Sequence, residues 1–438
     1  MALINPFCSI RRLGYWILDA LRGGHTRKNY KDIKHKLENG IIDGDKLNSL
    51  LIHATNTTEF YKDFDPSDIS SFPVITKNDI KNSWDTFFSS QYKDAPLHTV
   101  STSGSTGVPF MMKWNGQKRK RQLADMIYFN EKAGHKIGLP YIYFRVWNDR
   151  NSKSPLEKWM QNLIPINIEH FNNDVLESAR KRLKSRPWVN ACIGYASTYE
   201  FLTKYMSNKG DIPSMFKTKV FITSSAVMPM EIKQLIKDTV GCAVVDRYSN
   251  EENGFLAQTK DTSDIFDVNF ASFRMEILKQ DSDEPCEIGE LGRIVITDLY
   301  NYAVPMIRYD TGDLAIKYEE KDGWTTKLKT VQGRRVDIIY DTFGNVLTTH
   351  TWGVHMKRFD KLLQYQFIQN SARSYTIKLN GAKPHYTDEE ILSHLKSVLG
   401  DAADITIEHV DNIPNLKSGK FKSTVCNYEY NAADYEGK

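Results

Sequence analysis

No run of about eighteen consecutive apolar residues occurs in this 438-residue chain, which argues against an ordinary membrane-spanning helix. Cysteine is scarce. The five residues Cys8, Cys192, Cys242, Cys286 and Cys426 are scattered, odd in number and without CxxC spacing, so neither a disulfide framework nor a zinc signature is present. A reducing, cytoplasmic setting fits that usage. A surplus of one charge is also missing: Lys+Arg 58 against Asp+Glu 54 leaves +4, too little to make nucleic acid the main partner. Any anion binding must therefore be local. There is no internal repeat and no low-complexity segment. What remains, at 40% hydrophobic residues, is a soluble globular chain long enough for two or three domains with a large core.

Hydroxyls and glycines are packed most densely in Ser101-Thr102-Ser103-Gly104-Ser105-Thr106-Gly107-Val108-Pro109. The flanks Leu97–Val100 and Val108–Trp114 read as strands. Gly104 and Gly107 can turn backbone N–H groups toward one point, and Ser103, Ser105 and Thr106 add rotatable donors, which makes a nest for anionic oxygens. It is not the common ATPase loop, which needs a lysine directly after its last glycine; Val108 stands there. A Ser/Thr/Gly-rich surface loop is the alternative reading of this stretch alone.

At the N-terminus Phe7, Ile10, Gly14, Ile17, Leu18 and Leu21 recur at helical spacing beside Arg11, Arg12 and Arg22. The favoured reading is an amphipathic helix docked on the body of the protein, with peripheral contact to a membrane surface as the alternative. Arg11, Arg12 and Asp19 break the apolar run and exclude a good signal peptide. Helical segments follow at Lys46–Ala54 and Asp79–Phe88, the second with a capping pair in Thr76 and Asp79. Beyond the hydroxyl-rich stretch, a helix is expected in which Leu123, Met126, Ile127 and Asn130 share a face, begun by a solvated basic run, Lys118–Arg121.

Strands and helices then alternate through Tyr141–Val146, Asp174–Leu183, Val189–Ile193, Thr198–Met206, Lys219–Ile222, Met230–Val240 and Ala243–Val245, which implies a parallel or mixed sheet covered by helices. Ligands of such sheets sit beyond the carboxyl ends of the strands. Those exits carry Arg145-Val146-Trp147-Asn148, Gly194-Tyr195-Ala196-Ser197, Ser224-Ser225-Ala226 and Arg247-Tyr248-Ser249-Asn250-Glu251-Glu252. Past Gly254 strands and turns dominate, as an antiparallel or barrel-like subdomain with strands at Asp267–Leu278, Arg293–Thr297 and Asp313–Tyr318. An aspartate after Thr311-Gly312 could accept two hydrogen bonds from vicinal hydroxyls, although such a triplet is also an ordinary turn. The last hundred residues read as a small α+β domain after Gly333-Arg334-Arg335-Val336-Asp337, ending in a loop Pro414–Lys420. His350 and His355 lack the spacing of neighbouring helix ligands and read as structural.

Five segments in this order, Ser101–Pro109, Tyr248–Glu252, Tyr309–Asp313, Gly333–Arg334 and Pro414–Lys420, resemble the adenylate-forming superfamily of acyl-CoA synthetases, adenylation domains and luciferases. Gly194-Tyr195-Ala196-Ser197 and Ser418-Gly419-Lys420-Phe421 are most similar to the phenylacetate-CoA ligase branch, and within it to CapK-type proteins of capsule and surface polysaccharide synthesis. The resemblance implies an α/β fold: an adenylation core of mixed sheets with helices and a β-rich subdomain (1–335), and a mobile α+β lid (336–438). It implies ATP and Mg²⁺, a carboxylic acid substrate, and either CoA or an amine such as an amino sugar as acceptor. By the family pattern Ser103, Gly104, Ser105, Thr106 and Gly107 hold phosphates, with Thr106 and Glu252 toward Mg²⁺. Tyr248, Asp313 and Arg334 hold the nucleotide, Arg145, Tyr195, Ser225 and Ala226 face the acid, and Lys420 is catalytic together with Glu252. Ser249 stands where the family usually has glycine, Glu251 where it has Thr or Ser, and Val336 where an aspartate is common. These departures leave open which glutamate faces the metal, and whether the chain is a nucleotide-binding protein without catalysis.

Overall fold

The computed structural model describes residues 6–101, 110–145, 147, 152–168, 173–224, 227–332, 339–344, 346–347, 352, 355–356, 358–359, 361–362, 364–383, 385–414 and 422–435. The chain forms two compact units, residues 1–311 with 315–331, and residues 312–314 with 332–438. The boundary expected at 335/336 falls among residues outside those described, and the change of unit comes at Val331/Gln332.

The first unit opens with α1 (Pro6–Leu21), α2 (His25–Asn39) and α3 (Gly44–Thr57). In α3 the spacing of Leu47, Leu50, Leu51 and Ala54 buries one stripe, and the Asp43 side chain caps its start by accepting from Lys46 N. Thr76 and Asp79 form the expected capping box at α4 (Lys77–Asn82). The single helix expected at Asp79–Phe88 is two, because Ser83 interrupts it before α5 (Trp84–Phe87).

The helix α6 (Gly116–Lys132) corrects the sequence reading. Its inward face is Lys118, Arg121, Ala124, Asp125 and Tyr128, while Leu123 and Met126 are exposed. Lys118 is fully buried in an ion pair with Asp298 at 2.6 Å and lies over the Phe273 ring. Arg121 donates to Ser272 Oγ (2.8 Å) and Ala271 O (2.6 Å) and pairs with Asp32. Buried charge is tolerated here because each cation has a carboxylate, with aromatic rings around Lys118 and further hydrogen bonds for Arg121, information held by residues 32, 272, 273 and 298 and not by the helix itself.

The main sheet contains, in chain order, β3 (Tyr141–Arg145), β4 (Leu163–Asn167), β5 (Ala191–Tyr195), β6 (Val220–Ser224), β7 (Ala243–Asn250), β8 (Gly254–Thr259), β9 (Ile265–Val268), β10 (Phe273–Leu278), β11 (Leu291–Asp298), β12 (Tyr309–Lys321) and β13 (Trp324–Gln332). A separate hairpin, β1 (His98–Ser101) with β2 (Met111–Trp114), precedes it. The spatial order is β10-β11-β12-β13-β9-β8-β7-β6-β5-β3-β4. Strands β3 to β7 pair in parallel, with α8 (Asn173–Lys184), α9 (Ala196–Asn208) and α10 (Met230–Val240) among the connections; α7 (Pro155–Gln161) precedes β4. At β7 the sheet turns antiparallel, and the β-rich region joins the same sheet. The strand expected at Asp267–Leu278 is broken at Asn269–Ser272, where the Asn269 side chain donates to Phe255 O at 3.1 Å and Ser272 N bonds Asn269 O.

In the second unit β14 (Ile339–Tyr340) pairs with β15 (Val346–Leu347), and a sheet runs β18 (Asp404–His409), β17 (Ser374–Asn380), β16 (Gln364–Gln369), β19 (Thr424–Cys426). The helix α11 (Asp388–Leu399) covers it, and Trp352, Phe367, Tyr375, Ile377, Ile391, Leu395 and Leu399 build a core of its own.

Candidate active site

In the chain the hydroxyl-rich stretch falls between β1 and β2, whose register pairs Ser101 with Met111. Ser103, Gly104, Ser105, Thr106 and Gly107 themselves lie outside the described residues, as do Ser225, Ala226, Arg334 and Lys420. The hairpin is anchored from β2: Trp114 Nε1 donates to the Glu252 carbonyl at 2.8 Å, and Asn301 Nδ2 donates to Lys113 O at 3.1 Å. A buried indole donor needs such a partner, and its choice here joins the hairpin to the turn after β7.

That turn separates its two glutamates. Glu251 is exposed; Glu252 is 4% exposed. Tyr309 OH donates to Glu252 Oε1 at 3.0 Å, whereas Oε2 is buried with no hydrogen-bond partner among the described residues. Asn253 is fully buried, and both ends of its side-chain amide also lack partners among the described residues. An unpartnered buried carboxylate oxygen costs free energy unless a cation or donor completes it. A hard oxygen ligand of this kind fits Mg²⁺, which is held by one or two carboxylates together with substrate phosphates. No group of three or more His, Cys, Asp or Glu side chains suited to a metal exists among the described residues, so a cage made wholly of protein is not formed there.

Gly254 fixes the turn from the other side. Its φ of +94° is accessible to glycine, and a Cβ would lie 2.1 Å from Gln122 Oε1, which accepts from Phe255 N. The bulge at Tyr248/Ser249 lies just ahead of it. Tyr248 OH donates to Thr311 Oγ1 at 3.1 Å, and Thr311 Oγ1 donates to Ile294 O at 3.0 Å. The Thr-Gly-Asp triplet thus lies within strand β12, with Gly312 at φ +77° and Asp313 partly buried. Its approach is held by Arg308, which donates to Phe72 O, and by Asp310, paired with Arg293 at 2.9 Å.

Arg145 and Tyr195 end neighbouring parallel strands, and Tyr195 is in register with Ser224. Burial pushes the Tyr195 phenol upward; Tyr143 adds to this, Arg145 opposes it and Glu251 raises it further, so these charges are felt at one edge of the sheet. The segment between Thr223 and Met228 is clamped at both ends by buried Asp246, whose Oδ1 accepts from Thr223 Oγ1 (2.7 Å) and Met228 N (3.0 Å). Lys233 lies 2.6 Å from Asp246 Oδ2, both side chains 1% exposed. Sequence reasoning missed Trp114, Tyr309 as the partner of Glu252, Asp246 and Lys233. A usable signal existed for Lys233, a charge on the inward stripe with Ile232 and Ile236.

Comparison with known proteins follows the same outline. Residues 329–427 match the family model of the CapK C-terminal domain. Over 435 residues the chain is 22% identical to Protein CapK of Staphylococcus aureus, covering 92% of this chain and 93% of that protein. It is 20% identical over 422 residues to the phenylacetate-coenzyme A ligase of Escherichia coli (strain K12), covering 91% and 93%. In structure it is similar to 2-hydroxyisobutyryl-CoA ligase in the postadenylation state in complex with R3-HIB-AMP, with TM-score 0.65, 16% identity and 89% of each chain covered. The chain is therefore similar over more than nine-tenths of its length to CapK and to a phenylacetate-coenzyme A ligase, and it has the fold of 2-hydroxyisobutyryl-CoA ligase.

Proposed function

We propose that this protein is an AMP-forming ligase that activates a carboxylic acid with ATP and passes the acyl group to the thiol of CoA. The observation that carries this reading is Glu252: a buried carboxylate with one oxygen held by Tyr309 and the other without a partner among the described residues, its backbone carbonyl tied to Trp114 on the strand that follows the hydroxyl-rich stretch. A carboxylate oxygen attacks the α-phosphorus, the bond to the leaving pyrophosphate breaks, and an acyl-adenylate forms. The thiol then loses its proton, adds to the acyl carbon and expels AMP.

In this reading Ser103, Gly104, Ser105, Thr106 and Gly107 bind the β- and γ-phosphates, which disperses charge on the leaving group. Mg²⁺, when bound, supplies further neutralisation of the phosphates, and Glu252 with Thr106 would hold it. Tyr248, Asp313 and Arg334 bind the nucleoside, and Arg145, Tyr195, Ser225 and Ala226 orient the acid. Lys420 of the C-terminal domain contacts the α-phosphate and the acid carboxylate, so movement of that domain gates the reaction. ATP and CoA make the cytoplasm the setting, and the CapK kinship favours a role in surface polysaccharide synthesis.

The test is product analysis with ATP, Mg²⁺ and a panel of aromatic, sugar and amino acids, with hydroxylamine to trap activated acyl groups. AMP, pyrophosphate and a hydroxamate are expected, all lost in Lys420→Ala while ATP binding persists. ADP as product overturns the adenylate mechanism. Replacing hydroxylamine by CoA or by amino sugars then separates thioester from amide formation, and amide formation alone overturns the choice of CoA.

A further inference from the structure

The helix α1 is docked the wrong way round for a helix that merely completes the core. Its polar and aromatic residues face the protein: Arg12 pairs with Glu131 at 3.0 Å, Trp16 packs on Tyr30, and Asp19 accepts from Thr26 N and Arg27 N. The contact at its start is close, because a Cβ on Gly138 (φ +87°) would lie 2.4 Å from the Cys8 carbonyl. Its aliphatic residues point out instead. Ile10, Leu13, Ile17, Leu18 and Leu21 are all exposed, Leu21 by 78%. They recur at three-, four- and seven-residue steps, which puts them on one stripe.

The stripe continues onto a second element. The short helix α7 exposes Leu156, Trp159 (61%) and Met160, and the Arg11 guanidinium lies over the Trp159 ring at 5.0 Å. Charge around the face is mainly cationic: Arg11, Arg22, Lys153 and Lys158 belong to these two segments. Both of their acids are engaged, Asp19 as above and Glu157 in the capping box with Ser154.

We propose that the exposed face of α1, extended by Leu156, Trp159 and Met160 of α7, docks this protein on an anionic lipid bilayer. The aliphatic stripe enters the boundary between headgroups and acyl chains, with Trp159 at the same level and the arginines and lysines meeting lipid phosphates. A fluid partner suits the face better than a protein does, because Ile10, Leu13, Ile17, Leu18 and Leu21 offer no hydrogen-bonding group that would fix a register. No helix among the described residues is long and apolar enough to span the bilayer, so contact is to one leaflet. A cytoplasmic leaflet carries the required negative charge. The inference is independent of the ligase reading, since it uses none of those residues.

The experiment is flotation of the full chain with vesicles of phosphatidylcholine containing about 30 mol% phosphatidylglycerol, against phosphatidylcholine alone. Binding is expected on the anionic vesicles and weaker binding on the neutral ones. Ile17→Glu with Leu21→Glu should lower the partition by about tenfold or more, since two exposed aliphatic side chains leave the membrane. Ile288→Glu, which alters an exposed aliphatic residue elsewhere, should leave it unchanged, and matching thermal melts exclude misfolding as the cause. No flotation on anionic vesicles, or flotation indifferent to the α1 pair, overturns the proposal. Sedimentation showing a dimer that the α1 pair dissolves, without vesicle binding, assigns the face to a second copy and overturns it as well.

Discussion

At the scale of single residues, Tyr309 decides what Glu252 can do. A carboxylate with one oxygen held by a phenol cannot rotate freely, so its second oxygen keeps a fixed direction. Tyr309→Phe should lower pyrophosphate release by about 10- to 100-fold and raise the Mg²⁺ concentration for half-maximal rate, with a lower melting temperature in the absence of Mg²⁺ because Glu252 Oε1 then also loses its partner. A normal Mg²⁺ dependence would remove Tyr309 from this positioning role. His135 sets a pH dependence. Burial, and then Arg247, depress its imidazole to about 4, so it is neutral in the fold but protonates near its ordinary value in the unfolded chain. Its contribution is present above about pH 6.5 and is lost as pH falls toward 4, by roughly 3 kcal/mol at most. Denaturant midpoints across that window should fall in the natural protein and fall less in His135→Phe.

At the scale of elements, α6 shows where patterning misleads. Periodicity located the helix, and the capping of Asn115 on Lys118 N starts it, but the face it buries is the charged one. Hydrophobicity cannot report a cation whose carboxylate lies 180 residues away at Asp298. Lys118→Met removes the partner of a fully buried aspartate and should destabilise the fold by about 3–5 kcal/mol, read as a lower denaturant midpoint. The double variant with Asp298→Leu should recover much of that loss. Other elements were legible. Met230–Val240 and Asp388–Leu399 occur with the bounds their apolar period indicates, and Thr387 caps the second. The helix α7 and the strand β4 escaped notice, because each is short and neither has a long period to detect.

At the scale of the molecule, the C-terminal core of Trp352, Phe367, Tyr375, Ile377, Ile391, Leu395 and Leu399 is drawn from one continuous stretch of chain. A fragment of residues 332–438 should therefore give native-like far-UV circular dichroism and a cooperative thermal transition of its own. A broad, non-cooperative melt would show that the unit depends on the rest of the chain.

The order of five short segments along the chain was enough to indicate the superfamily, because chemistry that handles phosphate, ribose and carboxylate requires particular side chains in sequence-local turns. Parallel strands were also legible, since alternation of apolar strands with amphipathic helices is a local pattern. Three things were left to the tertiary structure. It separated buried Glu252 from exposed Glu251, since burial depends on Tyr309 and Trp114, both more than fifty residues away. It brought Thr223 and Met228 onto one oxygen of buried Asp246, whose other oxygen faces Lys233. It also turned α1 so that its aliphatic stripe faces outward, because an amphipathic sequence specifies two faces while only the surface it lands on determines which is buried.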